Sequence, residues 1–263
     1  MNLMETVRTR RSVRTFDSRP LTTEDREKIS EFIKDVPNPY GISVDFVLLD
    51  ADAHGLTSPV LTGETLYAAA SVDRVPHAEE AFGFSFEKLV LYAWSMGIGT
   101  TWIGGTMNRE LFEEAAGLQE GRLMPCISPL GYPAKNMSVR ETMMRKGVKA
   151  DERKQASELF FDRDFLIPLK EENPETAEAL EMVRLAPSAV NRQPWRVVRK
   201  GNGYHFYLKH EKGYIGKATG DLQKVDMGIA LCHFLSGAPG EFRIENPGLS
   251  VEGDTEYIAS VIR

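Results

Sequence analysis

Arg10, Arg11, Ser12 and Arg14 place three guanidinium groups and one hydroxyl within five residues. A guanidinium is a planar fork of N–H donors that stays charged at physiological pH and matches the oxygens of a phosphate. Such a cluster can hold one phosphate together with an electron-rich ring atom; the plainer reading is a solvated basic face near the N-terminus. A second stretch, Leu185 to Trp195 (LAPSAVNRQPW), offers Ser188, Asn191 and Gln193 in a backbone that Pro187 and Pro194 keep extended. Short polar groups on such a backbone suit the edge of a flat polar ligand or a polyol chain. They equally suit a helix stop, with Ser and Asn capping turns and Trp195 in the core. A third stretch, Gly97 to Gly105 (GIGTTWIGG), follows an apolar helical pattern, and its glycines let backbone N–H groups come close to a ligand.

Several chemistries are poorly supported. The glycine stretch has neither the GxGxxG spacing of a dinucleotide site nor the GxxxxGK[ST] spacing of a nucleoside-triphosphate site. HExxH and GxSxG do not occur and the five histidines are scattered, so hydrolase and metal chemistry are not expected. Cys126 and Cys232 lie in apolar surroundings and form no CxxC, which predicts buried structural thiols in a reducing compartment. The net charge of −6 disfavours nucleic-acid and acidic-membrane partners, which need a basic surface. The N-terminal MNLMETVRTRRS lacks the apolar centre of a signal peptide, and no apolar run approaches the ~18 residues that would span a bilayer. A soluble, cytoplasmic protein is expected. With 263 residues, 42% hydrophobic and 27% charged, the chain can bury a substantial core.

The elements that must position these residues come in two similar series. Thr23 to Val36 reads as a helix with acids in its first turn, stopped by Pro37-Asn38-Pro39 and followed by the apolar strand Val44 to Leu49. Helices follow at Ser85 to Met96 and Arg109 to Gly117, then a strand at Leu123 to Leu130. In the second series, Pro174 to Leu185 is a helix stopped by Pro187, and Arg196 to Arg199 begins a strand. A hairpin through Gly201-Asn202-Gly203 continues into Tyr204 to Lys209. A helix at Leu222 to Leu235 and a strand at Tyr257 to Ile262 complete it. Pro37 and Pro187 each end a helix and precede an apolar strand, and Pro20-Leu21 and Pro168-Leu169 precede those helices. This order predicts an internal duplication: two mixed α/β halves, each with a central sheet flanked by helices, joined by a charged segment from about Val139 to Arg163. The boundaries are residues 1–140 for the first half, 141–163 for the connection and 164–263 for the second half.

Taken together, RRSVRTF before an acid-rich helix, LAPSAVNRQPW, SFEKLVLYAWSMGIGTTWIGG and SPLGYPA resemble the FMN-dependent nitroreductase family over most of the chain. One departure stands out. In ordinary members the APSAxNxQPW motif follows RRSxR by a few tens of residues, whereas here that place reads VPNPYGISV, Val36 to Val44. The motif occurs instead in the second half, whose counterpart of RRSVR falls near Phe160 to Asp164 (FFDRD) without the arginine cluster. Family members are typically interlocked homodimers in which each flavin is held by RRSxR from one subunit and APSAxN from the other. The resemblance therefore implies the fused, two-copy subgroup: a nitroreductase-like fold, internally duplicated, with one intact composite FMN site, one degenerate site and a monomeric chain.

The roles implied by this resemblance are specific. Arg10, Arg11 and Ser12 would hold the FMN phosphate and ribityl chain, and Arg14 would reach the N1/O2 edge of the ring. Arg153 or Lys154 would add a phosphate ligand, and Pro187, Ser188, Ala189 and Asn191 would line the flavin from the other half. Backbone N–H groups at Ile103, Gly104 and Gly105 would face N5, so no side-chain acid or base is demanded. The implied reaction is ping-pong: NAD(P)H reduces FMN and leaves, and a nitroaromatic, quinone or flavin-like small molecule then takes the electrons. The alternative is a flavin-binding or sensing protein without turnover.

Overall fold

The computed structural model describes residues 2–251 and 253–263. The chain opens with helices α1 (Leu3–Thr9) and α2 (Thr23–Phe32), strand β1 (Val44–Asp50), the short α3 (Ala51–His54) and strand β2 (Leu66–Asp73). Helices α4 (Ala78–Ser95) and α5 (Arg109–Ala115) lead to strands β3 (Arg122–Leu123) and β4 (Ile127–Leu130). The connection forms α6 (Val139–Gly147), α7 (Ala156–Leu159) and β5 (Phe160–Asp162). Helix α8 (Pro174–Leu185), strands β6 (Trp195–Lys200) and β7 (Gly203–Lys209), and a small ribbon, β8 (Ile215–Gly216) and β9 (Gly220–Asp221), come next. Helix α9 (Leu222–Gly237) and strands β10 (Glu241–Arg243) and β11 (Thr255–Ile262) end the chain.

Local chemistry explains the matching helix starts. The Thr22 hydroxyl accepts from the Asp25 N–H at 3.1 Å at the head of α2, and the Asn173 side chain accepts from the Thr176 N–H at 3.1 Å at the head of α8, where Pro174 occupies the first turn. Each helix precedes an antiparallel hairpin, β1–β2 and β6–β7, and each hairpin precedes a long helix, α4 and α9. The two long helices pack against each other with unusually close backbones. A Cβ on Gly83 would lie 2.1 Å from the Val225 carbonyl oxygen, and one on Gly228 would lie 2.0 Å from that of Glu80. Glycine is required at both positions because any side chain would drive the helices apart.

The two sheets lie around this helix pair. One contains β1, β2, β3 and β4, with β2 pairing antiparallel to the other three. The other runs in the order β10-β11-β7-β6-β5, with only β5 parallel to its neighbour. Strand β2 (LYAAASVD) is a strand that the periodicity does not predict, since alanine is a weak strand former. Its alanines fit because both faces are covered: Leu66, Ala68, Ala70 and Val72 enter the core with α4, while Tyr67 and Ala69 enter a second cluster with Leu49, Phe112 and Ile127. The strand expected over Leu123 to Leu130 is interrupted between β3 and β4, where Pro125 can donate no backbone hydrogen bond, and Pro129 lies inside β4 rather than ending it. FFDRD differs from RRSVR in more than its arginines, because Phe160–Asp162 runs as a strand along Val197–Arg199.

Candidate functional site

A cleft of about 530 Å³ opens where the first half, the connection and the second half meet. Its basic wall begins where α1 ends at Arg10, whose N–H donates to the Thr6 carbonyl at 2.9 Å. The following residues run beside the first sheet: the Val13 N–H donates to Thr100 O at 2.9 Å and the Phe16 N–H to Thr62 O at 2.8 Å. Val13 and Phe16 are buried in the core, and extended alternation turns Ser12 and Arg14 the other way, into the cleft.

Arg10, Arg11, Ser12 and Arg14 all line the cleft, but their guanidinium groups are not equivalent. Arg11 is paired with the buried carboxylate of Glu141 at 3.1 Å. Arg10 Nε, Arg14 Nη1 and Arg153 Nε are buried without a protein acceptor. Burial lowers the pKa of each of these three groups. Arg145 adds repulsion to all three, and Arg10 adds its own to Arg153, which is pulled down to about 10. Glu87 offsets part of this at Arg10 and Glu141 at Arg14, yet the buried guanidinium N–H groups still lack acceptors, and such groups suit an anion. Arg145, on α6 and paired with Asp151, lines the same wall. Sequence reading passed over it because it lies within a charged segment that reads as solvated.

The opposite wall is the turn after α8. Val190, Asn191 and Gln193 have φ of 50°, 58° and 51°, left-handed values that non-glycine residues adopt at a cost on the order of 1 kcal/mol or more each. Dense hydrogen bonding holds them there. The Ala189 N–H donates to both carboxyl oxygens of Asp226 at 3.0 and 3.1 Å, and the Gln193 N–H donates to Ser188 Oγ at 2.8 Å. The Asn191 amide donates to Lys149 O at 2.7 Å and Glu152 O at 3.0 Å, and its oxygen accepts from Arg153 at 3.3 Å. Pro187, Ser188, Ala189 and Asn191, expected to line a flavin, all border the cleft, while the Asn191 side chain is spent on the connection, where it holds Arg153. Of the pair Arg153 and Lys154, only Arg153 faces the cleft. Lys154 lies behind the turn, its N–H on Gln193 Oε1 at 2.8 Å.

The third side combines the glycine loop with α9. Ile103 is a second correction, because its N–H and C=O both pair with Ile127 at 2.9 Å and its side chain is buried in the core. Gly104 and Gly105 do line the cleft, and among the described residues neither N–H has a protein acceptor. Arg109 fixes this loop by donating to Gly104 O at 2.7 Å and Met124 O at 2.7 Å. Trp102 lines the cleft with its indole N–H on the buried Glu87 at 3.1 Å, and Glu87 also meets His233 at 2.9 Å. Leu222, Val225, Asp226 and Ile229 project from one face of α9 at helical spacing. The helical spacing of Val225 and Ile229 is visible in sequence, but nothing local shows which side of α9 meets a ligand. Both cysteines are buried and free, as expected; Cys126 lines the cleft, and burial pushes its thiol up to about 12. Among the described residues no cluster suited to a metal ion occurs, and no helix is long and apolar enough to cross a membrane.

A family model described as "Putative TM nitroreductase" matches residues 2–238. A crystal structure from Thermotoga maritima, described as a putative nitroreductase, aligns with a TM-score of 0.62 at 23% identity, covering 100% of this chain and 94% of that one. A nitroreductase with bound FMN from Bacteroides fragilis aligns at 19% identity and a TM-score of 0.42, over 52% of this chain and 89% of its own. A nitroreductase family protein from Clostridium novyi aligns at 17% identity and a TM-score of 0.44, over 51% and 87%. No curated protein matches.

Proposed function

This chain belongs to the nitroreductase family, in the group described as "Putative TM nitroreductase", and from that premise we propose that it is an FMN-dependent NAD(P)H oxidoreductase. The observation that carries this reading is that Arg10, Arg14 and Arg153 each keep one buried guanidinium nitrogen that, among the described residues, lacks an acceptor. A phosphate supplies the missing acceptors and offsets the repulsion among them. The cleft volume is also within the range of small-molecule sites.

Arg10 and Arg153 hold the phosphate, with Ser12 beside it, and Arg14 lies toward the ring, where a cation favours added negative charge. Gly104 and Gly105 would offer unpaired N–H groups to the bound ring, and Ala189 and the strained turn that follows it would help to hold it. Bound there, FMN supplies two-electron transfer between a nicotinamide donor and a nitroaromatic, quinone or flavin-like acceptor. Asn191 keeps Arg153 in place, and Trp102 and the α9 face exclude water.

The repeated element order and the reciprocal glycine contacts support an internally duplicated, pseudo-dimeric chain with halves at 1–140 and 164–263 joined by 141–163. One composite site per chain follows, and with it a monomer. The test is to reconstitute purified protein with FMN, desalt it and measure flavin per chain, then add NADH or NADPH without oxygen. One flavin that bleaches is the expected result. No retained flavin overturns the reading, and a flavin that binds but is reduced by neither nucleotide leaves binding without turnover.

A further inference from the structure

Among the described residues, Asp226 is the acid of the cleft that has no counter-charge. It is 3% exposed and lies on the α9 face with Leu222, Val225 and Ile229, beside Cys126 across from Gly104. Among the described residues no Lys, Arg or His makes an ion pair with it, and both of its oxygens share one donor, the Ala189 N–H. An isolated carboxylate in such apolar surroundings costs several kcal/mol, more than one N–H returns. A neutral acid removes that cost: one oxygen accepts from Ala189, and the other carries a hydrogen. Burial pushes this carboxyl well above the usual carboxylate range. The Ala189 N–H opposes that shift and the carboxylate of Asp221, at the head of the same helix, adds to it.

We propose that Asp226 is a specificity-determining residue that anchors the strained turn through one carboxyl oxygen and offers an O–H donor to the bound ring through the other. This rests on the flavin reading of the cleft. A donor here selects rings that present an acceptor, a carbonyl oxygen or an imine-type nitrogen, at the edge beside Gly104, and it disfavours a ring that presents an N–H. A side chain that merely anchored the turn would need only an acceptor.

The experiment compares wild type with Asp226→Asn and Asp226→Ala. The infrared difference spectrum between wild type and D226N at neutral pH, taken without flavin, should contain the carbonyl stretch of a protonated carboxyl. A carboxylate pair in its place overturns the proposal. With FMN, D226A should weaken binding about tenfold and shift the visible flavin band, whereas D226N, which keeps an acceptor and an N–H donor, should stay within about threefold of wild type. Equal binding and identical spectra for all three proteins overturn the donor role. If wild type itself binds no flavin, the cofactor reading falls, while the infrared result still decides the protonation of Asp226. Should D226A fail to fold, the infrared comparison still decides whether Asp226 carries the hydrogen that the donor role requires.

Discussion

The turn between α8 and β6, which borders the arginine-lined cleft, and the turn between α2 and β1 hold similar places in the element order and differ in contents. The turn at 187–193 follows α8 and precedes β6; its counterpart follows α2 and precedes β1 and carries Tyr40. In the first place Arg10, Arg14 and Arg153 line open volume, each with one buried guanidinium nitrogen left unpaired among the described residues. In the second, Tyr40 stacks on His77 at 5.4 Å and meets Phe242 edge-on at 4.8 Å, so aromatic side chains fill the space. The buried carboxyl side chain of Glu80 lies 3.5 Å from His77. A phosphate would find bulk and an acid where the other place offers room and cations. The difference teaches that the backbone frame alone does not make a site. Side-chain volume and sign of charge decide which of two similar positions accepts an anion.

The shared frame can be broken first. Gly83→Ala and Gly228→Ala each force a methyl group onto a facing carbonyl, and each should cost about 3 kcal/mol or more, seen as a large drop in melting temperature. A near-normal melting temperature for one variant alone would refute the equivalence of the two contacts. The basic wall is next. Arg10→Ala or Arg153→Ala should weaken FMN about 30-fold, a loss of about 2 kcal/mol measured by titrating flavin fluorescence. Asn191→Ala should lose less, since it acts through Arg153. The aromatic filling gives the smallest effect. Tyr40→Ala should cost about 1–2 kcal/mol of stability, because Tyr40 is only partly buried, and should leave flavin per chain unchanged because no cation cluster is created there. A second bound flavin in that variant would show that volume, not charge, closes the position.

Much of this was legible in the residues. Helix α8 follows from its spacing and stop signal and α9 from its spacing, α2 ends at Phe32, four residues before the expected Val36, and the hairpin turn between β6 and β7 falls at Gly201-Asn202, as that dipeptide predicts. Helix α4 begins seven residues before the predicted start at Ser85, because Ala78 to Phe84 is buried on nearly all sides and shows little polar alternation. Helix α6, which supplies Arg145, was hidden in a run of charges. The errors within the site share one cause. Ile103, Asn191 and Lys154 are right in chain position, but neighbours distant in sequence take up their hydrogen-bonding groups.

The sequence by itself determined the element order and the residue types able to bind a phosphate, since periodicity, turn chemistry and charge are local properties. Only the tertiary structure decided which guanidinium groups remain without an acceptor, which glycine N–H groups remain free, and that Asp226 lies buried without a cation. Those outcomes depend on which surfaces meet across more than a hundred residues of chain, and hydrogen-bond satisfaction is settled there, after the local preferences have been met.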